Sequence, residues 1–217
     1  YSLAAQFTAG LVFSALDKTE SAKSIANLVA AVESQGLVVA GVRDVPVNLD
    51  ALGAAAMRSL PTIQQIFVNS PDDLSELEFA RKLYQARRIS EKANTGDASF
   101  YIPTLNPYVM SYKGLVTPDN LPVFYLDLKD ERFASSMAVY HQRFSTNTWP
   151  QWKLAQPFRF LAHNGEINTL TGNRAWARAR EAIMDSNKLD MDAIRPIVQT
   201  NGSDSMSMDN MLESLVL

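Results

Sequence analysis

Three short segments in the second half of the chain carry the residue types that could do chemistry on a small substrate. They read HQRFSTN over residues 141–147, HNGE over residues 163–166 and TNGSDS over residues 200–205. Each segment combines small, turn-forming residues with at least one side chain that makes strong hydrogen bonds. The chemistry available to each follows from its strongest hydrogen-bonding group.

Arg143 lies at the end of a predicted strand, just before a run of small polar residues. A guanidinium in that position is suited to hold a carboxylate through two parallel hydrogen bonds. Ser145 and Thr146 could supply donors and acceptors around the same ligand. Alternatively, Arg143 pairs with a nearby Asp and the hydroxyls cap turns. Taken alone, this segment favours the second interpretation.

Asn164 and Gly165 come directly after the apolar run 160–162. If the Asn164 amide and the Gly165 N–H point into a pocket, the two donors could stabilise an oxyanion on a carbonyl under attack. Glycine suits that role because no side chain blocks the approach of the substrate. Asn-Gly is also a strong signal for a β-hairpin turn, and taken alone the segment favours the turn. A histidine such as His163 is more often structural than a catalytic base.

Asp204 stands just before a predicted helix, two residues after Gly202. Its carboxylate could cap that helix or bind the ammonium group of a substrate, and the cap is the simpler interpretation of this segment alone. Together, the three segments offer a guanidinium for a carboxylate, a carboxylate for an ammonium and paired donors for an oxyanion. That set complements an α-amino acid with a reactive side-chain carbonyl, namely glutamine. No nucleophile accompanies it.

The composition excludes several other classes of protein. Of 217 residues, 47% are hydrophobic and 20% are charged, as in an ordinary folded domain. The net charge of -3 gives no basic surface for nucleic acid, and no apolar run reaches the ~18 residues of a membrane span. Without Cys and with only two His, the chain has little with which to bind a metal. We expect a cytoplasmic domain with no nucleic-acid or membrane partner.

The two ends of the sequence also support a prediction. The chain begins at Tyr1 rather than Met, and it ends in the helix-forming run 211–217 without a stop signal. We expect an internal piece of a longer protein.

The elements that must position the three segments are predicted from periodicity. The predicted strands cover residues 6–15, 37–42 and 63–68. Between them lie a helix capped at Thr19 or Ser21 that ends near Gly36, and a short helix over residues 51–60. This part of the chain therefore has a β-α-β-α-β pattern.

A longer helix is predicted to start at residues 70–73. Its later part carries Arg81, Lys82, Arg87 and Arg88, which complement the helix dipole, so we expect a solvated helix end rather than an RNA-binding patch. The remaining predicted elements are extended β structure over 99–116, a loop over 117–132, a strand over 137–144, a helix over 174–184 and a helix from 208 onward.

Residues 140–180 resemble a known family, most closely in the motifs HQRFSTNT and AHNGEINT. The resemblance is to the class II glutamine amidotransferase domain of bacterial glutamate synthase large subunits, and it extends over TNGSDSMSMDNMLE and SYKGLVTPDNL to essentially the whole chain. Residues 1–217 are thus expected to be part of such a domain. Gln142 with Phe144, and Ala162 before His163, look more like the NADPH-dependent type than the ferredoxin type.

The resemblance implies an α+β fold of the N-terminal-nucleophile hydrolase type, a four-layer αββα sandwich of antiparallel sheets. It implies that Arg143 binds the α-carboxylate of glutamine and Asp204 its α-amino group. The Asn164 side chain and the Gly165 main chain would form the oxyanion hole. Further substrate contacts are expected from Ser145, Thr146 and Gly202.

The family's nucleophile is an N-terminal Cys whose own α-amino group acts as general base. This chain has no Cys. We therefore expect the nucleophile upstream, and this piece alone should not hydrolyse glutamine.

The resemblance also implies what surrounds the domain. Ammonia released from glutamine would pass to a synthase domain of the same subunit, where 2-oxoglutarate is aminated and reduced at FMN. Electrons would arrive through a 3Fe-4S cluster, from NADPH by way of a small FAD-dependent partner subunit. We expect none of these cofactors to bind this chain itself, and we expect Thr117–Arg132 to face the synthase domain.

Two alternatives compete with this interpretation. A purine-precursor or glucosamine-phosphate amidotransferase would share the fold, but the extra strands and helices of residues 6–70 and the FSTNT motif argue against it. A non-catalytic, glutamine-binding regulatory module would explain the missing Cys.

Overall fold

The computed structural model describes residues 1–71, 73–144 and 148–217. Its centre is an antiparallel sheet of four strands in the order β2-β3-β1-β4. The strands are β1 (Phe7–Ser14), β2 (Val38–Asp44), β3 (Thr62–Asn69) and β4 (Tyr101–Thr104). β1 pairs with β3 along its whole length, from Phe7 opposite Asn69 to Ser14 opposite Thr62. The three strands predicted in this part of the sequence are confirmed to within two residues at each end.

The α-helices are α1 (Lys18–Ser34), α2 (Ala54–Arg58), α3 (Glu76–Ala93), α4 (Leu121–Phe124), α5 (Leu170–Glu181), α6 (Met191–Ile194) and α7 (Asp204–Val216). Single turns of 3-10 helix cover Leu49–Ala51, Pro118–Asn120, Leu126–Lys129 and Trp152–Leu154.

The N-terminal end of α1 differs from the predicted cap. Asp17 caps α1, because its carboxylate accepts hydrogen bonds from the N–H groups of Thr19 and Glu20 at 2.9 Å each. The predicted cap Ser21 instead exchanges a buried hydrogen bond of 2.8 Å with Ser14 on β1. The chain does turn at Gly36, whose φ of +71° suits glycine.

α3 begins later than predicted because a capping box fixes its first turn. The Ser75 hydroxyl accepts from the N–H of Glu78 at 3.3 Å, and the Glu78 carboxylate accepts from the N–H of Ser75 at 3.1 Å. α1 and α3 pack together on one face of the sheet. Their apolar side chains meet those of the strands in one core, which includes Val12, Leu28, Ile66, Phe79 and Leu83.

The other face of the sheet is covered mainly by irregular chain. Its core includes Phe13, Tyr101, Tyr125, Trp152 and Phe158. Of the extended β structure predicted over 99–116, only β4 forms, and it pairs with β1. No second sheet is present in the described ranges, so the sandwich of two sheets is not seen there.

The strand predicted over residues 137–144 does not form. These residues adopt no regular structure, and the side chains of Met137, Val139 and Tyr140 are 77%, 60% and 87% exposed. A strand needs the backbone of a neighbour to satisfy its N–H and C=O groups. No strand in the described part of the chain pairs with this segment.

The C-terminal third packs against α3 through a third core, which includes Ala80, Tyr84, Ile194, Ile197 and Leu217. The prediction that the basic residues near the end of α3 face solvent is wrong for Arg87 and Arg88, which are only 2% and 4% exposed. Both are buried by α6, α7 and the segments that join them. α7 starts four residues earlier than predicted because the Ser203 hydroxyl caps it by accepting from the N–H of Met206 at 3.1 Å.

Two general features concern ligands and membranes. Within the described ranges, no helix is both long and apolar enough to span a bilayer. In the same ranges, no three His, Cys, Asp or Glu side chains come together as a metal site would require.

Candidate functional site

The segment with Asn164 and Gly165 lies against the N-terminal end of α7. We call residues 159–168 the HNG loop. The N–H of Ile167 donates to Asp204 Oδ2 at 2.9 Å, and the Ser205 hydroxyl donates to the carbonyl of His163 at 2.8 Å. Two of the three polar segments found in the sequence are therefore in contact.

The HNG loop is not a β-hairpin, since none of its residues is in a strand. Gly165 has a φ of +102° and Glu166 a φ of +74°, so the chain passes through two consecutive left-handed residues. Glycine is the residue that adopts such a φ without steric cost, which explains its place here. Gln156 supports the turn, because its side-chain N–H donates to the carbonyl of His163 at 2.6 Å.

The Gly165 N–H is engaged within the loop. It donates to Nδ1 of His163 at 3.0 Å, which requires that this ring nitrogen carry no proton. Gly165 is buried and Asn164 is half-buried. For the N–H of Gly165 to donate to a substrate oxygen, the hydrogen bond to His163 has to open.

Asp204 is the first residue of α7 and is 4% exposed. Its Oδ1 accepts from the N–H of Ser205 at 2.7 Å, while Oδ2 accepts from Ile167. A carboxylate at a helix N-terminus is stabilised by the helix dipole and the unpaired N–H groups there. The carboxylate therefore fixes the end of the HNG loop and carries a buried negative charge beside it.

Arg174, on the second turn of α5, is a functional candidate that the sequence did not reveal. Its Nη2 donates to the carbonyl of Gly202 at 2.8 Å, and its Nε donates to the Ser207 hydroxyl at 3.0 Å. It therefore holds the turn that precedes Asp204. Its partners lie 28 and 33 residues further along the chain, so no short motif could have indicated them.

A groove of about 500 Å³ opens beside Asp204, between α5 and α7. Its volume is in the range of small-molecule sites. Its lining is mostly apolar and includes Ile167, Leu170, Ala177, Met208 and Met211, and its charged members are Arg174, Arg180 and Asp204.

Among the remaining predicted site residues, the structure describes Arg143 alone. Arg143 is exposed, and its backbone N–H donates to Nδ1 of His141 at 3.1 Å. It takes no part in the hydrogen bonds described above. Ser145 and Thr146 lie outside the described residues. The structure thus brings together Asn164, Gly165, Gly202 and Asp204.

Comparison with known proteins places this chain in a family. Glutamine amidotransferases class-II is the family whose model matches, over residues 2–217. The glutamate synthase [NADPH] large chain of Bacillus subtilis is 43% identical over 98% of this chain and 14% of the relative. The ferredoxin-dependent glutamate synthase 2 of Synechocystis is 44% identical over 95% of this chain and 13% of the relative. The glutamate synthase [NADH] of Saccharomyces cerevisiae is 42% identical over 85% of this chain and 9% of the relative.

The chain therefore spans about a seventh of the length of the B. subtilis relative and less of the others. The match over residues 2–217 and these identities confirm the resemblance that the motifs indicated. The chain belongs to the class-II glutamine amidotransferases.

Proposed function

We propose that this chain is the glutaminase part of a glutamate synthase, which hydrolyses L-glutamine to glutamate and ammonia. The observation that supports this most directly is the contact between the HNG loop and Asp204. It puts a buried carboxylate next to the turn that carries Asn164 and Gly165. In the proposal, the group that binds the substrate ammonium is therefore close to the donors of the oxyanion hole.

In the proposed reaction each residue has a defined role. Asp204 binds the α-ammonium group of glutamine and Arg143 its α-carboxylate. The thiolate of an N-terminal Cys, which is not among these residues, adds to the side-chain amide carbon. The Asn164 amide and the Gly165 N–H stabilise the resulting oxyanion. Ammonia leaves with a proton that returns from the α-amino group of the Cys, and water then hydrolyses the thioester.

Two rearrangements are part of the proposal. The N–H of Gly165 turns from His163 to the substrate oxygen. Residues 137–144 become a strand of a second antiparallel sheet, which completes the four-layer αββα sandwich and brings Arg143, Ser145 and Thr146 to the substrate. The exposed apolar side chains of this segment support the second step, because a strand would bury them.

The released ammonia would pass to a synthase domain that aminates 2-oxoglutarate. FMN, a 3Fe-4S cluster and a small FAD-dependent subunit belong to that proposed assembly. Iron-sulfur clusters are held by Cys thiolates, and this chain has no Cys, so its residues do not fit the cluster. Relatives named for three different electron donors are 42–44% identical to this chain, so these identities do not distinguish the donors. NADPH is proposed because Gln142, Phe144 and Ala162 look more like the NADPH-dependent type. A cytoplasmic location stays a prediction.

The test is Asn164→Ala in the intact protein, including the N-terminal Cys. We expect glutamine-dependent turnover to fall by about 10²–10³-fold, as for loss of one oxyanion donor, with little change in KM for glutamine. Glutamate formation from added ammonia should be unaffected. Unchanged glutamine turnover in this variant would contradict the oxyanion role. An intact wild-type protein that binds glutamine without hydrolysing it would instead support the regulatory module.

A further inference from the structure

A cluster of six buried charged side chains lies behind the HNG loop, and the proposed reaction uses none of them. Its members are Arg87, Arg88 and Glu91 on α3, Arg159 in the HNG loop, and Asp209 and Glu213 on α7. Their side chains are all less than one-tenth exposed. The cluster combines three arginines with three carboxyl groups, so each guanidinium has an acidic partner within it.

Glu91 is the centre of the cluster on the α3 side. One of its carboxylate oxygens accepts from Arg87 Nη1 at 2.6 Å, and the other pairs with Arg88. Arg159 reaches it from the HNG loop at 3.6 Å. Burial would raise the pKa of Glu91, but the three guanidinium groups lower it to about 2, so the carboxylate is ionised.

Asp209 connects the cluster to the HNG loop. It is fully buried, and its Oδ1 accepts from the backbone N–H of Phe160 at 2.6 Å. Its Oδ2 lies 3.8 Å from Nη1 of Arg159, which is close enough for charge attraction but too long for a hydrogen bond. Arg159 is itself held by its Nη2, which donates to the carbonyl of Ile102, and its guanidinium carbon lies 5.1 Å from the centre of the Tyr101 ring.

The HNG loop is thus held by one helix at two places. Asp209 holds Phe160 at the start of the loop, while Asp204 and Ser205 hold Ile167 and His163 beyond it. A segment fixed at both ends by the same rigid element keeps its distance from that element. Asn164 and Gly165 lie between these anchors.

We infer that Asp209 is a positioning residue for the oxyanion hole: by accepting the hydrogen bond from the N–H of Phe160, it sets the place of Asn164 and Gly165 relative to Asp204. The inference rests on the proposed function. Displacing a reacting group by about 1 Å can cost about 10²-fold in rate. The effect of Asp209 is therefore expected in kcat rather than in substrate affinity.

Three substitutions in the intact protein separate the hydrogen bond from the charge. Asp209→Asn keeps an acceptor oxygen for Phe160 and removes the charge, and we expect kcat for glutamine to stay within about threefold of wild type. Asp209→Ala removes both, and kcat should fall by about 10–100-fold while KM changes less than about threefold. Asp209→Glu keeps the charge but moves the acceptor by one methylene group, so it should also lower kcat.

Glu213→Gln is the matched control. It removes a charge from the same cluster at a residue that pairs with Arg87 and makes no hydrogen bond to the HNG loop. We expect a lower melting temperature with unchanged kcat for glutamine. Ammonia-dependent glutamate formation, measured in every variant, should equal that of the wild type.

The outcomes distinguish this inference from the proposed function. If the wild type hydrolyses glutamine and Asp209→Ala does so at the same rate, only the positioning role is wrong. The role is also wrong if Asp209→Asn loses as much kcat as Asp209→Glu, a comparison that holds even where Asp209→Ala does not fold. A parallel loss of ammonia-dependent activity would show a general structural defect and overturn the inference. A wild type with no glutaminase activity would contradict the proposed function itself.

Discussion

Lys113 occupies an environment that its residue type seldom tolerates. Its side chain lies in the core on the irregular side of the sheet and is 2% exposed. The Nζ atom donates to the carbonyl of Lys153 at 3.0 Å and lies 4.7 Å from the ring centres of both Tyr101 and Phe158. No carboxylate among the described residues pairs with it. Burial, reinforced by the charge of Arg159, holds the pKa of Lys113 well below its usual 10.5.

This pKa shift predicts how stability depends on pH. Because the folded pKa is lowered, the unfolded chain binds more protons between that pKa and 10.5, and stability rises with pH across this window. Lys113→Met removes the cost of burying the amine, so we expect the chain to be more stable at pH 7 by on the order of 1 kcal/mol. The rise with pH should weaken in the same variant.

Urea unfolding at pH 7 and at about pH 9.5, within the window set by the reference pKa of lysine, measures both effects. The control is Lys23→Met, at an exposed position on α1, which should change stability by less than about 0.5 kcal/mol. A marked loss of stability in Lys113→Met, or an undiminished dependence on pH, would show that the amine stabilises the core.

The site residues differ in how far the sequence reveals them. Asn164, Gly165 and Asp204 were found because their types and their near neighbours indicate turns, caps and polar chemistry. Arg174 and Asp209 were missed because their partners lie 33 and 49 residues away in sequence. Such contacts depend on tertiary packing, which no local pattern records.

At the scale of elements, the prediction of a helix at α3 is right, but the prediction of which of its residues face solvent is wrong. Its helical periodicity is visible in the sequence, although its cap is Ser75 rather than a residue within 70–73. Arg87 and Arg88 were predicted to be exposed because basic residues near the C-terminal end of a helix usually face solvent. Their actual neighbours include Glu213 and Pro196, 126 and 108 residues further on.

The charge cluster predicts the behaviour of α3 in acid. The folded pKa of Glu91 is about 2 against a usual 4.5, so its contribution to stability is present above pH 4.5 and is lost as the pH falls toward 2. The shift corresponds to about 3 kcal/mol. Glu91→Gln leaves three guanidinium groups without this partner, and we expect a loss of about 3–5 kcal/mol at pH 7.

Thermal unfolding of the chain between pH 7 and pH 3 tests this prediction. Glu33→Gln, at an exposed position on α1, serves as the control and should behave as the wild type. Equal stability of Glu91→Gln and wild type at pH 7 would mean that the cluster does not depend on Glu91.

The predicted strands are confirmed where another strand of the described chain is present to pair with them. β1, β2 and β3 are apolar and are bounded by turn residues, and β1 and β2 both pair with β3. Residues 137–144 have the same β character but no neighbouring strand in the described ranges, and they stay irregular. Strand propensity describes a side-chain preference, whereas a sheet requires a second backbone.

At the scale of the whole molecule, the sheet has one face covered by α1 and α3 and the other by irregular chain. The α+β class with an antiparallel sheet was predictable, and the family match confirms the assignment. The second sheet of the expected sandwich stays a prediction. Its proposed strand would bring Arg143 to the same site as Asp204. Formation of the second sheet would therefore also complete the proposed glutamine site.

The most direct measurement is the glutamine and ammonia dependence of glutamate formation by the intact protein carrying Asp204→Asn. Asparagine keeps one oxygen to accept from the N–H of Ile167 but lacks the charge that binds an ammonium group. Loss of a charged hydrogen bond is worth about 1.5–3 kcal/mol, so KM for glutamine should rise by about 10–150-fold. The rate with ammonia should not change. An unchanged KM for glutamine, or an equal loss of both activities, would contradict the assignment of this helix end as the glutamine site.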